Sequence, residues 1–333
     1  MNVHFDAVYY EPAALQYPLG KTLREKYAHL PWFEIENHNR IEEFTSSENK
    51  DFPKLKSHLI VGVRKTHKYV PNHKVSNWLV PYTSSGCRAM CLYCYLVCNY
   101  NKCAYLRLFV NREQMLNKII RKSHEAPTAE TFEIGSNSDL ILENAVTDNL
   151  TYTIERFARE GRGRLTFPTK FDAVEPLLSL DHRGSTIFRM SVNPEDIIRR
   201  IEIGTSPLTG RIQALNAMAE AGYPVGLLIA PVILLPDWQR LYGELIDILS
   251  VGLSEKVRQS AFIEIILMTY SYIHNAINTE AFPNAAPLLD RETMTGRGRG
   301  KYWYKNEERA QAEAFLREKL AQRLPDMPIL YCV

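Results

Sequence analysis

Trp78-Leu79-Val80-Pro81-Tyr82-Thr83-Ser84-Ser85-Gly86-Cys87-Arg88-Ala89-Met90-Cys91-Leu92-Tyr93-Cys94 reads as a short apolar strand that runs straight into a loop carrying three cysteines. Its first part, 78–82, is one of six β-rich apolar runs; the others lie at 131–135, 164–168, 186–192, 225–232 and 261–268. Helical patterns fill the gaps, at 112–124, 150–160, 173–178, 194–201 with 211–221, and 238–249. Strand, helix, strand in this repetition predicts an α/β fold of parallel strands with crossover helices. Six such units can close into a partial barrel or lie open as a doubly wound sheet, and periodicity does not separate the two. Either way, function collects at the C-terminal ends of the strands. Asn193-Pro194 reads as an N-cap with Pro at the first helical position, and Gly222 as the glycine that ends helix 211–221.

On either side of this core the pattern weakens. Residues 1–75 look irregular, with one helical stretch at 23–29 and an apolar strand at 59–63. After it come a charged helix at 306–323 and a strand-like 329–333. There is room for a full core in 333 residues, 45% of them apolar. Lys plus Arg (40) nearly cancel Asp plus Glu (38), so any nucleic-acid surface must be a local patch. The longest near-apolar run, 223–236, is too short to span a bilayer, so no membrane partner is expected. Five of the six cysteines fall between Cys87 and Cys103. With no cationic, apolar leader in front, such crowding reads as metal or redox chemistry in a reducing cytoplasm.

Cys87, Cys91 and Cys94 supply thiolates, the soft ligands that iron–sulfur clusters and zinc demand. Three of them in one tight loop can cap three corners of a cube and leave the fourth iron open. Structural zinc wants four ligands, usually as paired CxxC units, and here Cys98 or Cys103 would have to supply the fourth.

CxxxCxxC with an aromatic before the third cysteine resembles the signature of the radical S-adenosylmethionine superfamily. Within it the chain looks like the spore photoproduct lyases, which reverse the thymine dimer of ultraviolet-damaged spore DNA. The strings that carry this likeness include Tyr17-Pro18-Leu19-Gly20, Val61-Gly62-Val63-Arg64-Lys65, Cys94-Tyr95-Leu96, Phe167-Pro168-Thr169-Lys170, Phe188-Arg189-Met190-Ser191-Val192-Asn193, Gly204-Thr205-Ser206, Ala221-Gly222-Tyr223 and Gly300-Lys301-Tyr302. The resemblance implies a partial (β/α)6 TIM-type barrel with an N-terminal extension and a C-terminal β-hairpin plus helix. The division it suggests is an extension packing on the barrel over 1–75, the barrel over 76–275, and a DNA-facing hairpin and helix over 276–333. It implies a 4Fe-4S cluster on Cys87, Cys91 and Cys94, S-adenosylmethionine as cofactor, and an electron donor such as ferredoxin or flavodoxin. Ser138, Lys170 and Ser191 would hold the methionyl and ribose parts, Tyr93 the adenine side, and the backbone at Ala230 the adenine ring. Asp139 and Asn193 are further polar groups at those strand ends. A lysine there is apt, because an ammonium neutralises the cofactor carboxylate.

One position departs from the family string F-E-x-x-C-x-S-D, whose cysteine returns a hydrogen atom to the repaired thymine. This chain reads Phe132-Glu133-Ile134-Gly135-Ser136-Asn137-Ser138-Asp139. An S–H bond surrenders its hydrogen to a carbon radical; the stronger alkyl O–H bond does not. Three readings stand: another cysteine donates, Ser136 is a mutation, or the reaction differs. Cys98 is the favoured donor, because a helical turn after Cys94 puts it on the same face. Cys103 and Cys332 are weaker candidates. Tyr93 and Tyr95 would relay the radical back towards the cofactor, as the family's two tyrosines do.

Residues 295–305 pack four cations and three aromatics into eleven positions. Arg297, Arg299 and Lys301 can reach phosphates while Tyr302 stacks or wedges against bases. The family carries a hairpin here beside the flipped-out dinucleotide; where it has Arg-Tyr this chain has Gly296-Arg297, while Lys301 and Tyr302 agree. Damaged duplex DNA with its dimer flipped out is the expected partner, since extrusion costs a few kcal/mol and less at a damaged step. Two rival readings are a radical enzyme of the same subfamily acting on another nucleic acid or a peptide, and a non-enzymatic metal-containing nucleic-acid binder.

Overall fold

The computed structural model describes residues 3–99 and 105–333, with the side chains of Cys98 and Asn99 left aside. Two compact units divide the chain. One is Met1–Arg88, Tyr100–Thr169 and Ala173–Ile187; the other is Ala89–Asn99, Lys170–Asp172 and Phe188–Val333.

In the first unit the segment that reads as irregular holds a sheet. Ala7–Tyr10 lies between Trp32–Glu34 and His58–Gly62, all parallel, and Leu106–Phe109 extends the set beyond His58–Gly62. Ser84–Ser85 closes the edge antiparallel. His58–Gly62 is buried at every residue, as a strand covered on both faces must be. Tyr9, Phe44, Leu55, Ile60 and Tyr105 form one core beneath it. The same unit holds Val70–Pro71, Trp78–Leu79, Thr131–Glu133 and Arg164–Thr169 side by side, the last three parallel. The 78–82 run is shorter as a strand than its composition suggests. Val80 still donates to the Glu133 carbonyl at 2.8 Å, but Pro81 has no N–H with which to go on.

The second unit pairs Thr186–Val192 (from Phe188 onward), Val225–Val232, Phe262–Leu267 and Ile329–Cys332, all parallel. Leu208–Glu220 and Trp238–Gly252 are the helices that carry the chain between them. A buried ion pair crosses this run, Arg189 Nη1 to Glu264 Oε2 at 3.2 Å, and the Tyr331 hydroxyl donates to the same carboxylate. Thr269–Ser271, Lys301–Tyr304 and Met294–Gly298 make a three-stranded antiparallel sheet, followed by the helix Asn306–Arg323.

Two local expectations change. The 173–178 segment is only a 3-10 turn, Glu175–Leu177. The helix expected to start on Pro194 is Glu195–Arg200, with Pro194 itself at the cap. Asn193 does not cap it because its amide is engaged elsewhere. Its Nδ2 donates to Glu202 at 2.8 Å and to the Pro231 carbonyl at 3.1 Å, and its Oδ1 accepts from Tyr242 at 3.0 Å.

Candidate active site

Backbone bonds shape the cysteine loop before any metal is considered. Gly86 donates to the Asn137 carbonyl at 2.8 Å, and the buried Lys56 ammonium holds the Cys87 carbonyl at 2.6 Å. In the second unit Met90–Cys91 pairs antiparallel with Glu202–Ile203, so that Cys91 and Glu202 are direct partners. Cys94 N–H turns back to the Cys91 carbonyl at 3.1 Å, and the Leu92 carbonyl accepts from Asn278 at 2.6 Å. Cys87 and Cys94 are half-buried and Cys91 buried, all three outside any disulfide. Among the described residues no three His, Cys, Asp or Glu side chains are grouped around a metal position. The donor chemistry nevertheless fits an iron–sulfur cluster, since three soft thiol donors in one loop leave one corner for another ligand.

Around Glu202 the second unit gathers a buried charge network. Glu202 is 1% exposed and Arg211 fully buried. Arg211 Nη2 reaches Glu202 Oε2 at 2.6 Å and Thr205 Oγ1 at 2.7 Å, while its Nη1 donates to the Ser191 carbonyl at 3.0 Å. Lys170 Nζ sits 3.1 Å from Glu202 Oε1 and donates to Ser191 Oγ at 2.6 Å and the Ala230 carbonyl at 2.7 Å. Tyr93 donates its hydroxyl to Glu202 as well. Burial alone raises the Glu202 carboxyl, but the Lys170 and Arg211 charges more than offset it and bring it down to about 2. Tyr93 is pushed well above its ordinary value by burial and by the Glu202 charge beside it. Of the expected cofactor residues, Tyr93, Lys170, Ser191, Asn193 and Ala230 therefore meet in one place. Glu202 and Arg211, which hold them there, carry no motif signal. In the sequence Glu202 is a charge set between Ile201 and Ile203, beside the Gly204-Thr205-Ser206 string, and Arg211 is the first residue of the 211–221 helical pattern.

Ser138 and Asp139 lie in the first unit. Ser138 Oγ and Ser84 Oγ are 2.6 Å apart, and Ser84 donates to the buried Glu143 carboxyl, which also accepts from Thr83 at 3.0 Å and Asn149 at 2.7 Å. Burial raises the Glu143 carboxyl in spite of those donors. Asp139 caps the helix Leu140–Val146, accepting from Ile141 at 3.1 Å, and takes the Thr169 hydroxyl at 2.8 Å. Ser136 is half-buried in the turn just before it.

A cavity of about 610 Å³ in the second unit is walled by Tyr93, Tyr95, Tyr270, His274, Arg297 and Lys301. It brings the two loop tyrosines together with three hairpin cations, Arg297, Arg299 and Lys301. The hairpin turns through Gly298, Arg299 and Gly300, all at positive φ. Arg297 stacks on Trp303 at 4.6 Å, Arg297, Arg299 and Lys301 are exposed, and Tyr302 is half-buried. Tyr95 is 51% exposed. A short helix, Leu96–Asn99, does follow Cys94. The side chain of Cys98 and the whole of Cys103 lie outside the described residues. Cys332 ends the last strand, and burial pushes its thiol up to about 11.

Parallel strands with crossover helices, polar groups gathered where strands end and three cysteines of one loop outside any disulfide define an α/β enzyme with a cofactor-bearing site. The spore photoproduct lyase family model matches residues 3–333, and the chain belongs to that family. It is 35% identical to the spore photoproduct lyase of Bacillus subtilis, over 92% of each chain. With the enzyme of a Geobacillus species it shares 32%, over 97% of each. Solved relatives include a spore photoproduct lyase complexed with dinucleoside spore photoproduct, and a mutant with bound AdoMet and the same dinucleoside. Each has a TM-score of 0.92 and 31% identity, with full coverage of both chains. The fold is thus the partial barrel with a C-terminal hairpin and helix that the resemblance implies, and the protein is a lyase. No described helix is long and apolar enough to cross a membrane.

Proposed function

We propose that this lyase reverts the spore photoproduct, 5-thyminyl-5,6-dihydrothymine, to two thymines in damaged duplex DNA. The observation that carries the reading is the 610 Å³ cavity, whose wall joins Tyr93 and Tyr95 of the cysteine loop to Arg297 and Lys301 of the hairpin. Cys87, Cys91 and Cys94 would hold a 4Fe-4S cluster, fed by a donor such as ferredoxin or flavodoxin. When bound, the cluster and S-adenosylmethionine supply a 5′-deoxyadenosyl radical as hydrogen abstractor. Lys170, Ser191, Asn193, Ala230 and Ser138 bind the cofactor, and the fixed Glu202–Arg211 pair orients Lys170. Arg297, Arg299, Lys301 and Tyr302 grip the strand beside the extruded dinucleotide. Cysteines outside any disulfide suit a cytoplasmic enzyme.

Ser136 favours a second reading, a related radical reaction on another substrate, because its hydroxyl cannot return a hydrogen atom. Under the first reading Cys98 takes that role, and Tyr95 and Tyr93 carry the radical onward. The test is anaerobic reconstitution followed by turnover on dinucleoside spore photoproduct. Thymidylyl-thymidine is the expected product, and 5′-deoxyadenosine accumulates only in turnovers in which the tyrosines do not return the radical to it. 5′-Deoxyadenosine without thymine release sinks the substrate, and clean thymine release by Cys98→Ala sinks the donor.

A further inference from the structure

The string Val61-Gly62-Val63-Arg64-Lys65 lies outside the site described above, at the end of a strand in the first unit. Its sheet runs Trp32–Glu34, Ala7–Tyr10, His58–Gly62, Leu106–Phe109 in space, so the chain leaves Ala7–Tyr10 to one side and returns on the other. That is a topological switch point, and open parallel sheets bind ligands in the crevice beyond the carboxyl ends of their strands at such a point. A cavity of about 240 Å³ occurs there, with Glu11, His38, Arg64, Lys65, Arg107 and Phe109 in its wall. Each residue follows or ends a strand of the sheet, except Arg107, which is inside one and only 2% exposed.

The charge in that wall has a definite sign. Glu11, its one carboxylate, accepts from His38 N–H at 3.1 Å, from Val63 N–H at 2.9 Å, and pairs with His38 Nδ1 at 2.8 Å. Both its oxygens are thereby engaged. Gly62 makes the pairing possible: a Cβ there would lie 3.0 Å from both Glu11 Oε2 and His38 Nδ1. The remaining charges are cations on a rigid base. Asn111 clamps the Arg64 backbone with two bonds of 3.0 Å, Arg64 Nε donates to the Tyr82 carbonyl at 2.8 Å, and its guanidinium stacks on Phe109 at 3.9 Å. Two guanidinium groups and an exposed ammonium facing one pocket suit a tetrahedral oxyanion better than a neutral ligand. At about 30 Å³ per water, the cavity has room for a phosphate and a small substituent.

We propose that this cavity is a phosphate-binding site in the N-terminal sheet, built from other residues than those proposed to hold the cofactor. It takes either a free phosphate monoester or one phosphodiester of a bound strand.

The experiment is a titration of the reconstituted enzyme with inorganic phosphate at fixed ionic strength, read as a thermal shift and by calorimetry, with chloride as control. Wild type should gain a saturable shift. Lys65→Ala should weaken phosphate binding about three- to tenfold, the range for one ordinary net hydrogen bond in a solvated position, and Lys65→Glu should abolish binding. Lys65 is exposed and far from the core, so both variants should fold. No phosphate-specific shift in wild type, or an unchanged one in Lys65→Glu, overturns the site. If an undamaged oligonucleotide displaces the phosphate, the natural group is a strand phosphodiester; if it does not, a small monoester is the ligand. None of these readouts depends on turnover, so failure of the lyase reading leaves this test intact.

Discussion

The Glu202 network and the 294–304 hairpin belong to the same unit and hold similar numbers of charges, yet they manage them in opposite ways. Around Glu202 the charges are buried and paired, with Arg211 and Glu202 shielded from water and Lys170 pinned by three acceptors. On the hairpin Arg297, Arg299 and Lys301 stand in solvent, and Arg297 stacks on the Trp303 indole. Buried charges fix positions, because moving one strands its partner. Exposed cations hold nothing in place but remain available to a polyanion. Under the proposed function, the first arrangement suits a small cofactor held still and the second suits a long strand.

The largest effect expected lies at the joint between the loop and the network. Cys91→Ala should remove iron from the reconstituted protein and bring lyase turnover to background, measured by iron content and product release. Full iron loading in that variant would break the assignment of the loop. Glu202→Gln should cost about 3–5 kcal/mol of stability, since it leaves the buried Arg211, and the half-buried Lys170 beside it, without their counter-charge. Urea unfolding checks this, and a loss below about 1 kcal/mol would show that the network is not needed to hold the fold. The pH dependence follows in sign. Glu202 falls from an ordinary 4.5 to about 2 on folding, so its contribution is complete above the unfolded value and lost as pH falls through about 2. Wild type should lose stability across that window more steeply than Glu202→Gln.

The hairpin should respond the other way round. Arg297→Ala, Arg299→Ala and Lys301→Ala together should leave melting unchanged while flattening the salt dependence of DNA binding, by up to about 0.9 for each phosphate no longer neutralised. An unaltered salt slope would remove the hairpin from the DNA interface. The smallest change is Gly300→Ala. A Cβ there would meet Tyr272 Cε1 at 2.1 Å with φ at +69°, but Tyr272 is 56% exposed and can swing away. About 1 kcal/mol of hairpin stability is the expected loss, and hydrogen exchange confined to 294–304 should report it.

The contrast also explains what the sequence discloses. Thr186–Val192 and Val225–Val232 are legible to the residue because both are long, rich in apolar residues and buried along nearly their whole length. The cysteine loop is legible because its ligands are neighbours in the chain. The hairpin is legible because its glycines and cations are contiguous. The N-terminal sheet is not: Ala7–Tyr10 and Trp32–Glu34 are four and three residues long, too short for a period, and they pair across distant segments. Glu202 and Arg211 are invisible for a related reason. Their meaning comes from Lys170, Ser191 and Tyr93, which only the fold brings to them.

The pairing of Met90–Cys91 with Glu202–Ile203 also bears on how the holoenzyme is made. A ligand loop that hangs free must be ordered at the moment metal arrives, and that ordering is subtracted from the affinity. Here Cys91 is already stitched, backbone to backbone, to the carboxylate residue on which the buried charges of its unit converge. The apoprotein therefore presents a partly set mould. Under the proposed cluster assignment, maturation is a filling step rather than a folding step, and a chelator should strip iron from the reconstituted protein without unfolding it.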